Sequence, residues 1–231
     1  TRNEMMVASV AAGRDVFSVD GEGYAPEGTV RLGDVVLKGQ EHDILEELAR
    51  AAALCNDAVL RLHNDDWTVE GDPMEGALLA FSGKIALQGL KAFSGWAMMD
   101  AIPFDARYRY MATLHHDHEG HTFVHLKGAP ERVIAMCSTQ RSESGGTAPL
   151  DRAYWHRIAH EIAAKGQRVL AFATRPLPPG HDVLDVAGLE GKLVLIGVVG
   201  LIDPPRPEAV AAVAECHGAG IRVKMITGDH A

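Results

Sequence analysis

Residues Ile102 to Glu131 read IPFDARYRYMATLHHDHEGHTFVHLKGAPE, and the reading of this stretch decides the fold. Tyr108, Tyr110 and Ala112 alternate with Arg109, Met111 and Thr113, the two-residue period of a pleated strand. Beyond a polar turn at 117–120, Thr122, Val124 and Leu126 take one face and His121, Phe123 and His125 the other. The stretch is thus expected to be two antiparallel strands forming a ribbon, with Phe104, Arg109 and Lys127 at one end of it.

That end carries the chemistry. Phe104 is placed to stack on a purine ring, and Arg109 and Lys127 to meet phosphates, arginine through its donor fork and lysine as a mobile point charge. Gly128 lets backbone approach a ligand with no Cβ in the way. Each residue also has an ordinary reading, Phe104 in a core and Lys127 in solvent. At the far turn stand His115, His116, His118, His121 and His125, with Asp117 and Glu119 among them. Such a tract can ligate a divalent metal, but a solvated hairpin tip is the expectation, and no metal site is assigned.

Working outward, the 231 residues carry 22 Lys and Arg against 31 Asp and Glu, a net charge of −9. A nucleic-acid partner is not expected, because the phosphate backbone demands a concentrated basic face, whereas a small anionic ligand needs only a few local charges. Cys55, Cys137 and Cys216 have no zinc spacing, and Cys55 lies on the apolar stripe of a helix as a core thiol. The longest apolar run, around 193–202, is roughly half the length of a membrane helix. The start at Thr1 and the stop at Ala231, just past a strand-like run, read as the ends of an excised fragment.

Strands are expected at 4–10 and 14–19, then a loop over 20–33. A helix follows over 43–58, with Asp43 as candidate cap. Residues 65–69 read as a polar turn. Asp72, Pro73 and Glu75 open a second helix as cap, first residue and capping-box partner. Residues 131–137 and 151–165 are helical, 168–174 and 192–200 are strands, 208–217 is a helix and 221–226 a buried strand. The fold class is α+β, an antiparallel sheet flanked by helices, over residues 12–190. Flanking pieces of a second α/β domain take residues 1–11 and 191–231.

No GxxxxGK[ST] or GxGxxG phosphate loop is present. Asp229 follows the expected strand as either a magnesium-site carboxylate or a cap for further structure.

Several short motifs stand in order along the chain: ALCNDA at 53–58, GDPMEGAL at 71–78, KGAPE at 127–131, QRVLAFA at 167–173, DPPR at 203–206 and MITGDH at 225–230. Together they resemble the cytoplasmic nucleotide-binding region of P-type cation-transporting ATPases, the calcium-pump-like members above all. The resemblance implies an ATP site with Phe104 on adenine, Glu75 near the base, and Lys127 and Gly128 lining the pocket. Arg109 would reach toward the nucleotide, Arg168 hold phosphates and Leu170 lie close to the base. It implies that Asp203, Arg206, Thr227, Gly228 and Asp229 belong to a haloacid-dehalogenase-like phosphorylation domain, with Mg2+ near Asp229.

The partners implied are ATP or ADP and the remaining phosphorylation, actuator and transmembrane domains of one polypeptide, on the cytoplasmic side of a membrane. Two departures stand out. Ala106, with Arg107 beside it, occupies the place where the calcium-pump pattern has an arginine two positions after the phenylalanine. The phosphorylated aspartate is expected before Thr1, so the chain should bind ATP without turning it over. Competing readings are a self-contained haloacid-dehalogenase-type phosphatase, which needs an aspartate nucleophile in a DxD segment, and a protein-interaction module using the histidine-rich hairpin.

Overall fold

A computed structural model describes residues 4–37, 42–86, 89–143 and 146–224. In chain order the first elements are β1 (Met6–Ala12), β2 (Asp15–Val19), β3 (Val30–Leu32), β4 (Val35–Leu37), α1 (Asp43–Leu54), β5 (Val59–His63), β6 (Asp66–Glu70) and α2 (Pro73–Ile85). A 3-10 turn at Gly89–Phe93 leads to β7 (Ala97–Asp105), β8 (Tyr110–His116), β9 (Thr122–Gly128), α3 (Pro130–Met136), β10 (Cys137–Arg141) and β11 (Thr147–Pro149). The last are α4 (Arg152–Ala163), β12 (Arg168–Leu177), α5 (Val186–Leu189), β13 (Leu193–Ile202) and α6 (Pro207–Gly218).

The 102–131 ribbon contains three strands rather than two. Asp105 ends β7: its Oδ1 accepts the Arg107 N–H at 2.8 Å, and its carbonyl accepts the N–H groups of Tyr108 at 3.0 Å and Arg109 at 2.7 Å. The chain turns back through Arg109, whose φ of +58° is the left-handed region that few non-glycine residues adopt. Tyr108 and Arg109, expected on a strand, therefore form a corner, because Asp105 closes the turn before they can pair.

From β7 the sheet runs β7-β8-β9-β12-β13-β1-β2-β3-β4, with β10 beside β13 and β11 beside β10, eleven strands in all among the described residues. Every pairing is antiparallel except β10 with β13. The β5–β6 hairpin stands apart, turning at Asn64 and Asp65, both at positive φ. It replaces the expected polar turn, because two consecutive left-handed residues suit the twist of a two-residue hairpin loop.

Two apolar cores lie on opposite faces of the large sheet. Leu170, Phe172 and Ile196 point to the face covered by α1 and α2, while Ala171, Ala173 and Leu195 point to α3 and α4. The second core includes Trp155, fully buried, whose indole N–H donates to Gln140 Oε1 at 2.9 Å, so its polar atom is matched. The architecture is thus α+β, an antiparallel sheet flanked by helices, as expected.

Local caps differ in detail. His42, not Asp43, caps α1, its Nδ1 accepting the Leu45 N–H at 3.2 Å. Asp72 caps α2 as expected, accepting the Met74 N–H at 2.8 Å, but Glu75 does not close a capping box because its carboxylate is engaged elsewhere.

The expected division at 11/12 falls within β1, and that at 190/191 in the turn between α5 and β13. β1 and β13 pair from Met6↔Ile202 to Ala12↔Gly197, and β13 also pairs with β12, so these strands are central members of the sheet. Among the described residues neither end forms a separate α/β unit. Helix α6 keeps Val210 and Val213 exposed, and Ile221–Lys224 are irregular, with Ile221 and Val223 exposed where a buried strand was expected. No strand of the described residues lies beside them to complete a ladder. No helix among the described residues is long and apolar enough to cross a membrane.

Candidate functional site

Where the first turn of α2 faces the ends of β8, β9 and β12, a cavity of about 510 Å³ opens. Its lining includes Glu75, Phe104, Arg109, Lys127, Gly128, Arg168 and Leu170, brought from α2, β7, the β7–β8 corner, β9 and β12. Strand pairing explains the convergence. Met111 stands opposite Lys127 across β8 and β9, and Lys127 opposite Phe172 across β9 and β12. The two-residue period then puts Lys127, Met111, Leu170 and Arg168 on the α2 side of the sheet.

The charges are already arranged in pairs. Lys127, only 6% exposed, reaches Glu75 Oε1 at 2.5 Å, and the other Glu75 oxygen accepts the Asp57 N–H at 3.1 Å. Arg109 meets Glu131 at 2.6 Å on the rim, where both side chains are about half exposed. Among the described residues Arg168 has no carboxylate partner, and it lies against Met74 Sδ at 4.0 Å. Asp57 and Asp72 also line the cavity, Asp72 having been expected only as a helix cap; their signal is the NDA and GDP turns at 56–58 and 71–73.

Leu78, Met111, Val169 and Leu170 supply apolar wall, and Phe104, 65% exposed, stands at the mouth. A large aromatic left in water beside an apolar wall can stack on a flat ring. Behind the wall Cys55 is fully buried. Desolvation pushes its thiol up to about 11, the opposite of what a nucleophilic cysteine needs.

Gly128 lines the cavity and is also required by its own sheet. A Cβ there would meet Arg109 O and lie 2.8 Å from Tyr110 Cα, so its bareness serves the close approach of β8. Arg107 does not enter the cavity. It turns back to Asp105 at 2.6 Å, and that pair holds the Asp105 carboxyl down at about 2. The place of Ala106 is therefore not filled by its neighbour.

Asp203 and Arg206 lie outside the cavity, after β13; Asp203 Oδ1 is buried with no hydrogen-bond partner among the described residues. The calls on Thr227, Gly228 and Asp229 lie outside the described residues. At the histidine-rich turn, donor atoms of Asp117, Glu119 and His121 lie within 4.8 Å of one another. The Asp117 carboxylate there accepts the N–H groups of Glu119 at 2.9 Å and His121 at 2.8 Å, which is how it closes the turn. His115 and His125, expected near a solvated tip, are instead buried under α1, beside Trp96.

Comparison with known proteins bears on this arrangement. Residues 44–208 match the family described as P-type ATPase, cytoplasmic domain N. The chain is 42% identical over 236 residues to a cation-transporting ATPase, pma1, of Synechocystis, covering 100% of this chain and 26% of that protein. It is 38% identical over 232 residues to a probable cation-transporting ATPase F of Mycobacterium tuberculosis, and 32% identical over 234 residues to a calcium-transporting ATPase of Bacillus subtilis, with the same two coverages. The chain thus spans about a quarter of the length of these curated relatives, 26% in each case.

Proposed function

Since the chain belongs to the P-type cation-transporting ATPases as their cytoplasmic domain N, we propose that it binds ATP in the cavity between α2 and β8, β9 and β12. The observation that carries this reading is the convergence of Glu75, Phe104, Arg109, Lys127, Gly128, Arg168 and Leu170 on one cavity of about 510 Å³ from five separate pieces of chain. Phe104 takes the adenine face, with Leu170 and Met111 beneath it. Glu75 offers a carboxylate near the base, and Lys127 and Arg168 carry charge toward the phosphates.

In this reading the domain contributes positioning. It holds the nucleoside so that the γ-phosphate projects toward an aspartate of the phosphorylation domain, and effective concentration together with charge stabilisation lowers the barrier. Asp203, with its unmatched buried oxygen, and Arg206, Thr227, Gly228 and Asp229 belong to that second site and to a haloacid-dehalogenase-like domain. Mg2+ held there, near Asp229, would screen phosphate charge. The chain alone binds ATP or ADP without hydrolysing it. In the parent, hydrolysis is coupled to cation transport through actuator and membrane domains, with this part on the cytoplasmic face.

The calcium-pump-like subgroup is part of the proposal and is supported by the name of the Bacillus subtilis relative, while the relatives with higher identity carry only the word cation.

The test is an ATP titration followed by amide NMR. Shifts should cluster around Glu75, Phe104 and Lys127 and disappear in Lys127→Ala. A wild-type chain with no response at those positions, or binding unchanged by Lys127→Ala, would overturn the proposal.

A further inference from the structure

The ALCNDA run at 53–58 contains one side chain with no role in the site so far. Asn56, 8% exposed, sits just past the Cys55 C-cap of α1 and engages both its amide nitrogen and its amide oxygen. Its Nδ2 donates to Ala52 O at 3.1 Å, in the last turn of α1, where carbonyls have no helical partner. The same nitrogen donates to the backbone carbonyl of Glu75 at 3.0 Å. Its Oδ1 accepts the Ala58 N–H at 2.9 Å, closing a turn that leaves the Asp57 N–H free to face Glu75 Oε2 at 3.1 Å.

Glu75 is therefore gripped twice from one dipeptide, by its main chain through Asn56 and by its carboxylate through the Asp57 amide. Its remaining oxygen sets the Lys127 ammonium at 2.5 Å. The approach is tight: a Cβ on Gly71, just before α2, would lie 3.0 Å from Ala58 Cα. A shift of the Asn56 turn would move Glu75, and with it Lys127.

We propose that Asn56 is a positioning residue for nucleotide recognition, acting through Glu75 to fix where the Lys127 charge stands. This rests on the ATP-site reading above. A separate stitch between the same helices supplies a control. The single Ser82 hydroxyl proton is shared between Ala49 O at 2.7 Å and Leu78 O at 2.8 Å, and Ser82 does not line the cavity. If Asn56 only joined α1 to α2, it would behave like Ser82. Its bond to the backbone of residue 75 would also work equally well with alanine there.

The experiment is a double-mutant cycle on the 231-residue chain, reading ATP affinity by amide NMR and folding by thermal unfolding. Asn56→Ala should weaken ATP binding roughly tenfold when Glu75 is present, the scale of losing one well-placed hydrogen-bonded contact. In the Glu75→Ala background the same change should cost less than about twofold. Ser82→Ala should lower the unfolding midpoint and leave affinity unchanged. Equal losses in both backgrounds, or no loss in either, would overturn the role of Asn56. If Asn56→Ala does not fold, Asn56→Asp, equal in size but without the donors, is put through the same cycle and judged by the same outcomes. A wild-type chain that binds no ATP would bring down the ATP-site reading itself, and is seen before any variant is made.

Discussion

Arg109 and Gly128 are locked together across the β8–β9 ladder: the Arg109 carbonyl accepts the Ala129 N–H at 3.0 Å and occupies the space that a Cβ on Gly128 would need. The lysine-bearing end of β9 is thereby fastened to the corner that carries Arg109. Gly128→Ala should push β8 away or force Arg109 out of its left-handed conformation. The expected cost is about 1–3 kcal/mol in urea unfolding, the scale of overpacking a tight contact, with ATP binding weakened as well. Unchanged stability would show that the two strands can part without penalty.

Lys127 and Glu75 are both little exposed, at 8% and 16% of their side-chain surface. Removing one partner leaves the other's charge in a poorly solvated place. Lys127→Ala should destabilise the fold by about 3 kcal/mol, while Lys127→Met with Glu75→Gln should cost less than about 1 kcal/mol, because no uncompensated charge remains. Chemical denaturation of both variants checks the difference. Equal losses would mean that packing, not charge, holds the pair.

His115 and His125 pack their rings 5.8 Å apart beneath α1, and neither His125 nitrogen has a hydrogen-bond partner among the described residues. Burial depresses His115 to about 4, and burial with the nearby His115 and Arg50 takes His125 well below 6.5. The folded state thus keeps both neutral while the unfolded chain takes up protons near pH 6.5. Their stability contribution is complete above that pH and is lost as pH falls from 6.5 toward 4. The slope approaches about 1.4 kcal/mol per pH unit for each histidine. His125→Phe should flatten the pH dependence of the unfolding free energy between pH 6.5 and 5; a slope as steep as wild type there would contradict it.

Phe104 is 65% exposed on the edge strand β7. Phe104→Ala should change stability by less than about 0.5 kcal/mol, as surface changes usually do. It should nevertheless reduce ATP affinity roughly tenfold if the ring stacks on the base, as base–aromatic contacts do. Calorimetric titration beside a thermal melt separates the two effects. A destabilised variant would return Phe104 to an ordinary packing role.

Much of this could be read in the chain because alternation is a local signal. Met111 and Thr113 share one face and Tyr110 and Ala112 the other, as their period requires. The expected site residues Glu75, Phe104, Lys127, Arg168 and Leu170 do meet in one cavity. What remained hidden depends on partners distant in sequence. Nothing near Asp72 reveals that Glu75 abandons its capping box for Lys127, 52 residues away. The histidines at 115 and 125 flank the polar turn at 116–121, yet both are buried, and only the tertiary packing of α1 over β8 and β9 decides that. The corner at Ala106–Arg109 was missed because one Asp side chain, not a glycine or proline, stops β7.

The pairing of Met6 with Ile202 has a mechanical consequence. β1 begins and β13 ends at the same end of neighbouring antiparallel strands, so the backbone leaves the sheet there as two strands side by side. When both are moved together, the load enters the centre of the sheet, because β13 is also paired with β12. When they are pulled apart, the load falls on a single hydrogen bond at a time and peels the ladder from Met6–Ile202 inward instead of shearing it.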